Sequence, residues 1–170
     1  MDTRHAVTTT RLGEITLVAE GDALVGLYFP HHWYRPSQAA LGVSVRLSAD
    51  PVLSEAAAQV DEYLGGGRRA FDLRTATRGD TFQERVWALL KEIPFGETTT
   101  YGALADALRD RTLAQSVGEA VGRNPLCVVI PCHRVVGKDG RLTGYAGGLS
   151  RKRFLLDLEE PASVKAGRLL

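Results

Sequence analysis

The sequence predicts an α/β protein of the α+β kind: a small sheet-plus-helix region, then a helical region containing a helix-turn-helix. Three observations predict it. Residues 5–29, HAVTTTRLGEITLVAEGDALVGLYF, are β-rich runs split by turn signals at Leu12-Gly13 and Gly21-Asp22. Residues 52–64 and 82–93 place apolar residues at helical spacing. Two shorter helical patterns follow, parted by about five residues, the connection a helix-turn-helix needs. At 170 residues the chain is one ordinary domain or two small ones, long enough to bury a sizeable core.

The turn signals divide the first run into a meander of three strands. Residues 31–50, HHWYRPSQAALGVSVRLSAD, read as a loop with little regular structure. Asp50 then offers an N-cap with Pro51 at the first helical position. Val52, Leu53, Ala56, Ala57, Val60 and Leu64 form one apolar face before GGG ends the helix. RRAFDL, residues 68–73, is a short strand candidate, and RTATRGD links to a second unit. Thr81 with Glu84 makes a capping box for a helix facing inward through Phe82, Val86, Leu89, Leu90 and Ile93, closed by Pro94 and Gly96.

Tyr101, Leu104, Ala105 and Leu108 mark the next helix; Ala114, Val117 and Val121 mark another that ends near Gly122. Small residues on the latter (Ala114, Ser116, Gly118, Ala120) permit close approach to another surface. PLCVVIPCHRVV reads as extended and GKDGRLTGYAGG as a glycine-rich loop. A last helix runs from about Ser150 to Glu160, with Leu149, Phe154, Leu155 and Leu158 inward. The expected organisation is residues 1–78 as an N-terminal α/β domain, 79–160 as a C-terminal helix-turn-helix domain, and 161–170 as a tail.

Composition narrows the function classes. No run approaches the roughly eighteen apolar residues that cross a bilayer, and MDTRHAVTTT lacks the apolar stretch of a signal peptide. A cytoplasmic protein without membrane partners is expected. Net charge is +1, against a strongly basic surface, yet its distribution is uneven. Residues 1–80 hold eight Lys/Arg against ten Asp/Glu, whereas residues 111–153 hold eight against two. That excess can attract phosphates or simply form a solvated basic face.

The chemistry centres on IPCHRVVG, residues 130–137. Cys127 and Cys132 are the two cysteines; without a secretion signal a structural disulfide is not expected. His5, His31 and His32 complete the histidines, and no CxxC or HxxxH spacing suggests a metal site. Cys132 can be core filler or a nucleophile, and His133 a satisfied core histidine or a base. A thiol reacts as its thiolate and needs a base or a positive environment. In an extended chain successive side chains point to opposite faces, so Cys132 and His133 need a bend or a bridging water to cooperate.

IPCHRVVG with GRLTGYAGGLSRKRFLLDLE, preceded by FQERVWALLKEIPFGETTTYGALADAL and SVGEAVGRNPL in order and spacing, resembles the O6-alkylguanine-DNA alkyltransferase family over about residues 80–160. The first eighty residues are compatible with that family's divergent N-terminal domain. The resemblance implies a ribonuclease-H-like N-terminal domain and a winged helix-turn-helix. It implies single-turnover transfer of an alkyl group from guanine O6, or thymine O4, to Cys132, with no cofactor. His133 falls on the histidine that activates the thiol through water, Glu159 on its orienting glutamate, and Asn124 on the hinge asparagine. Tyr101 falls on a tyrosine that assists base extrusion, and Val135, Tyr145 and Ala146 on walls of the base pocket. Gln115, Ser116, Arg123 and Lys138 fall on the DNA-binding face.

The implied partner is double-stranded DNA carrying an alkylated guanine, bound by a monomer in the minor groove with little sequence preference and strong salt dependence. One departure stands out: the family commonly has an intercalating arginine where this chain has Gln115, leaving Arg111 or Arg123 to compensate. Cys127 falls where some members carry a pocket-lining proline and reads as a small buried residue. The zinc-binding domain of the family's adaptive-response regulators is not in this sequence, so a transcriptional role is not expected. Three rivals differ in class. An alkyltransferase-like protein that recognises without repairing replaces the cysteine, typically by tryptophan. A cysteine hydrolase predicts turnover on esters or amides, and a plain DNA-binding regulator leaves the Cys, His, Glu and Asn set unexplained.

Overall fold

The computed structural model describes residues 2–161; the expected tail lies outside them apart from Pro161. Strands β1 (Thr3–Thr10), β2 (Gly13–Glu20) and β3 (Ala23–Tyr28) form the antiparallel meander, with a bulge in β3 at Val25, opposite Val18 and Ala19. The loop that follows supplies a fourth strand, β4 (Val43–Ser44), pairing parallel with β1 at Arg4 and His5. The sheet order is β3-β2-β1-β4. Two residues at a sheet edge are too few to leave a periodic signal, which is why β4 is hidden in the sequence.

Helix α1 (Pro51–Leu64) starts as expected: the Asp50 carboxylate accepts from the backbone N–H of Val52 and Leu53, and Pro51 occupies the first turn. Leu53, Ala56, Val60, Tyr63 and Leu64 are buried, in one core with Leu17, Ala19, Leu24 and Leu27 of the sheet. RRAFDL does not form a strand. The Gln59 side chain takes the place of a strand neighbour, accepting from Asp72 N (2.8 Å) and donating to Asp72 O (3.0 Å). The β contact comes slightly later, where Leu24 N donates to Arg74 O and Ala76 N to Leu24 O, 2.9 and 3.1 Å.

Helix α2 (Thr81–Lys91) is capped one residue earlier than the sequence suggests. Asp80 and Gln83 form the capping box, and Glu84 accepts from Thr77 and Gly79. Asp80 wins because an ionised carboxylate at the positive helix end is the stronger acceptor. The inward face also contains Trp87, whose indole N–H donates to Ala120 O at 2.8 Å.

Strand β5 (Thr99–Thr100) leads into α3 (Tyr101–Ala107), and α4 (Ala114–Gly122) follows after a short 3-10 turn, making the helix-turn-helix. Strand β6 (Val135–Val136) pairs parallel with β5. Helix α5 (Leu149–Glu159) closes the fold. Its inward face differs from the expected one: Leu149 and Phe154 are 48% and 37% exposed, whereas Lys152, Leu155 and Glu159 are buried. Polar partners decide this, because the Lys152 ammonium finds the Val135 and Gly144 carbonyls at 2.6 and 3.1 Å. Core residues of both halves form one apolar cluster. No helix among the described residues is long and apolar enough to cross a membrane.

Candidate active site

The segment from Asn124 to Arg134 is a tight reversal rather than the extended run its composition suggests. It hangs on the free edge of β3, where Leu27 N donates to Pro125 O at 2.8 Å. Ile130 N then reaches back to Leu126 O at 2.8 Å, and Val128 takes φ 74°, a costly conformation for a β-branched residue. Asn124 staples the reversal: its Nδ2 donates to Ile130 O and its Oδ1 accepts from Leu126 N, both at 2.9 Å. Pro131 (φ −79°, ψ 64°) makes an inverse γ-turn, with Cys132 N donating to Ile130 O at 2.7 Å. Cys132–Arg134 then form a single 3-10 turn. Prolines and β-branched residues imitate a strand in sequence; the Asn124 side chain and the turn at Pro131 bend this one.

Cys132 and His133 consequently point to different partners. His133, fully buried, places Nε2 2.8 Å from Glu159 Oε2. Arg134 grips the same carboxylate in bidentate fashion, at 2.7 Å to Oε1 and 2.8 Å to Oε2, and donates to Ile93 O at 2.6 Å. The Tyr63 hydroxyl of α1 donates to Glu159 Oε2 as well. Burial pushes the Glu159 carboxyl up, but the bonds from His133, Arg134 and Tyr63 outweigh it and hold it at about 2. Burial pulls His133 down despite Glu159, so the imidazole is neutral. An ionised carboxylate can only accept, so Nε2 carries the proton and the lone pair is on Nδ1. That Nδ1 is buried without a hydrogen-bond partner among the described residues.

The Cys132 thiol is 3% exposed, with the Cys127 sulfur 3.7 Å away. A hydrogen bond from Cys127 holds the Cys132 thiol below its ordinary range; Asn124 and the Lys152 charge add to it against burial. Cys127 is pushed up correspondingly by its bond to Cys132 and by burial. Burial lowers Lys152 to about 8.

A cavity of about 20 Å³ opens on Cys132 between Tyr101, Tyr145, Ala146, Gly144, Gly122 and Trp33, room for roughly one water molecule. Tyr101, Tyr145 and Ala146 thus share one cavity with Cys132. Val135 does not line it; its carbonyl holds Lys152 instead. Trp33, from the loop after β3, lies across Gly144, where any Cβ would collide with the indole, and the Trp33 backbone N–H donates to Ala146 O at 3.3 Å. Gln115 and Ser116 are exposed on α4, Lys138 on the loop after β6, and Arg123 beyond the end of α4. Arg123 stacks 4.0 Å from the Tyr34 ring centroid and pairs with Glu119.

Four contributors escape a reading of the sequence: Arg134, Lys152, Tyr63 and Trp33. Arg134 and Lys152 count there towards a basic face, yet both are buried, which leaves Arg111, Arg123, Lys138, Arg141 and Arg153 exposed. Their spacing carries one clue, since Lys152, Leu155 and Glu159 share a helical face (i, i+3, i+7). Tyr63 and Trp33 leave none. Among the described residues no cluster of three or more His, Cys, Asp or Glu could hold a metal.

Two family models match the chain. The 6-O-methylguanine DNA methyltransferase ribonuclease-like domain matches residues 3–77, and the DNA binding domain of the same name residues 81–161. A methylated-DNA--protein-cysteine methyltransferase from Mycobacterium bovis is 41% identical over 150 residues, covering 88% of this chain and 87% of that protein. One from Methanosarcina acetivorans is 49% identical over 105 residues, 62% of this chain and 67% of that protein. Among solved structures, Mycobacterium tuberculosis OGT in complex with DNA superposes with a TM-score of 0.81 at 38% identity, covering 95% of this chain and 97% of that one. An O6-methylguanine DNA methyltransferase from Methanococcus jannaschii gives 0.62 at 29% identity, covering 90% and 92%. Likeness of this extent, in both halves and around the cysteine turn alike, makes the chain a member of the 6-O-methylguanine DNA methyltransferase family.

Proposed function

We propose that this protein performs direct-reversal DNA repair, moving an alkyl group from O6 of guanine, or O4 of thymine, onto Cys132 in a single irreversible turnover. The observation that carries the reading is a thiol of lowered pKa opening on a small cavity, backed by a neutral His133 held by Glu159. The thiol proton passes through water to His133 Nδ1. Cys132 Sγ bonds the alkyl carbon in line as the C–O6 bond breaks, and the departing guanine anion takes a proton from solvent water. Glu159 stabilises the imidazolium that forms, and Asn124 braces the turn.

The substrate base must leave the duplex, because its O6 edge is stacked and paired there. Tyr101 at the start of α3 assists extrusion, and Tyr145 and Ala146 wall the pocket. Residues 79–160 present Gln115, Ser116, Arg123 and Lys138 to the minor groove, and residues 1–78 act as the supporting domain. The protein works as a cytoplasmic monomer, since an isolated lesion asks for one active site. Recognition without repair is not favoured, because the nucleophile is present.

The test is direct. The protein is incubated with duplex DNA containing O6-methylguanine, and the tryptic peptide of residues 124–134 is weighed. A methyl adduct on Cys132 is expected; its absence under conditions where the duplex binds overturns the reading. Gln115, exposed and uncharged, is expected to limit extrusion. Gln115→Arg should tighten binding or speed repair by about threefold to tenfold, since one added phosphate or base contact is worth ~1 kcal/mol. Slower repair with weaker binding would contradict it.

A further inference from the structure

We propose that Cys127 is a second functional thiol of this site, the partner with which Cys132 closes a reversible disulfide when a peroxide reaches it. The two sulfurs lie 3.7 Å apart, both free and buried, across a five-residue reversal stapled by Asn124. Closing to a bond of about 2.05 Å asks for a movement of roughly 1.7 Å, inside a loop already bent through the positive φ of Val128.

The hydrogen-bond chain decides which sulfur does what. Phe29 N, an obligatory donor, lies 3.2 Å from His32 Nδ1, so that nitrogen is the acceptor. Burial, with Arg35 and Arg151 nearby, lowers His32 to about 4 and keeps it neutral, so its Nε2 carries the hydrogen. That Nε2 faces the Cys127 sulfur at 3.7 Å. Cys127 therefore accepts from His32 and donates its own S–H to Cys132. Cys132 is the sulfur that gives up its proton more readily, and it is the one that lines the cavity.

The step balances. The Cys132 thiolate attacks hydrogen peroxide, breaking the O–O bond to give sulfenic acid and hydroxide. Cys127 sulfur then displaces the sulfenic oxygen, which leaves as water with the Cys127 proton. Two thiols lose two electrons, and the peroxide gains them. Without a neighbouring thiol, further peroxide oxidises the sulfenic acid irreversibly to sulfinic and sulfonic acids. Cys127 would spare a single-use nucleophile from that loss, and a dithiol reductant returns it. The consequence for repair rests on the proposed function; disulfide formation itself does not.

The full chain is treated with graded hydrogen peroxide, then with iodoacetamide, and the peptide of residues 124–134 is weighed. The expected product has lost two hydrogens and takes no alkylating label. Methyl transfer from O6-methylguanine DNA should fall at least about tenfold, and dithiothreitol should restore it to within about twofold. In Cys127→Ala and Cys127→Ser the same dose should drive Cys132 to sulfinic acid, with activity that dithiothreitol does not recover. Direct over-oxidation of wild-type Cys132, with Cys127 still labelled, overturns the proposal. Wild-type protein that transfers methyl but forms no disulfide refutes this inference alone. Protein that forms the disulfide but transfers nothing when reduced refutes the repair reading alone.

Discussion

Cys132→Ala is expected to abolish methyl transfer, by more than about 10⁴-fold, while duplex affinity stays within about threefold. The size of the loss follows from the absence of a substitute. Cys127, 3.7 Å behind, does not line the cavity, and burial pushes its thiol up once Cys132 is gone. Deleting one buried sulfur costs about 1–2 kcal/mol of packing, and Gln115, Ser116 and Lys138, proposed to face DNA, lie on other elements. A gel-shift titration with a single-turnover assay checks both halves. Loss of binding together with transfer would mean that Cys132 holds the site's shape, and residual transfer would point to another acceptor.

Glu159→Gln is expected to slow transfer about 100-fold and, at neutral pH, to lower stability by roughly 3 kcal/mol. Buried Arg134 and His133 share this carboxylate with Tyr63. An amide offers one acceptor in place of two charged oxygens and turns an N–H₂ towards the guanidinium. The pH dependence gives a second reading. The folded-state value is about 2 against an ordinary 4.5, so this stabilisation is complete above pH 4.5 and is lost as pH falls towards 2. Urea midpoints of wild type and Glu159→Gln should therefore converge between pH 5 and pH 2.5, a range set by that shift. A gap unchanged by acid would remove Glu159 from the centre of the network.

What the sequence displays is what local bonds decide. The three-strand meander, the Asp50-Pro51 helix start and the two helices of the helix-turn-helix each carry their cause within a few residues. Where a distant partner decides, the sequence misleads. Gln59 takes the bonds that would make residues 68–73 a strand, and Lys152 reverses the inward face of α5 because carbonyls of other segments satisfy it. The site divides in the same way. Cys132, His133, Asn124 and Glu159 are recognisable by resemblance, whereas Arg134 looks like surface charge. Tyr63, 96 residues from Glu159, leaves no mark at all. The bend that separates Cys132 from His133 is made by the γ-turn at Pro131, with Asn124 stapling the reversal before it.

Trp33 is 57% exposed and still roofs the cavity over Cys132. A purine ring does not fit in about 20 Å³, so on the proposed reading the receptive molecule is one whose cavity lining, of which Trp33 is the exposed part, has opened. Affinity for an extruded base is then the intrinsic affinity multiplied by the fraction of molecules standing open. Sequence change in the loop around Trp33 can tune how often lesions are caught while the chemistry at sulfur stays as it is.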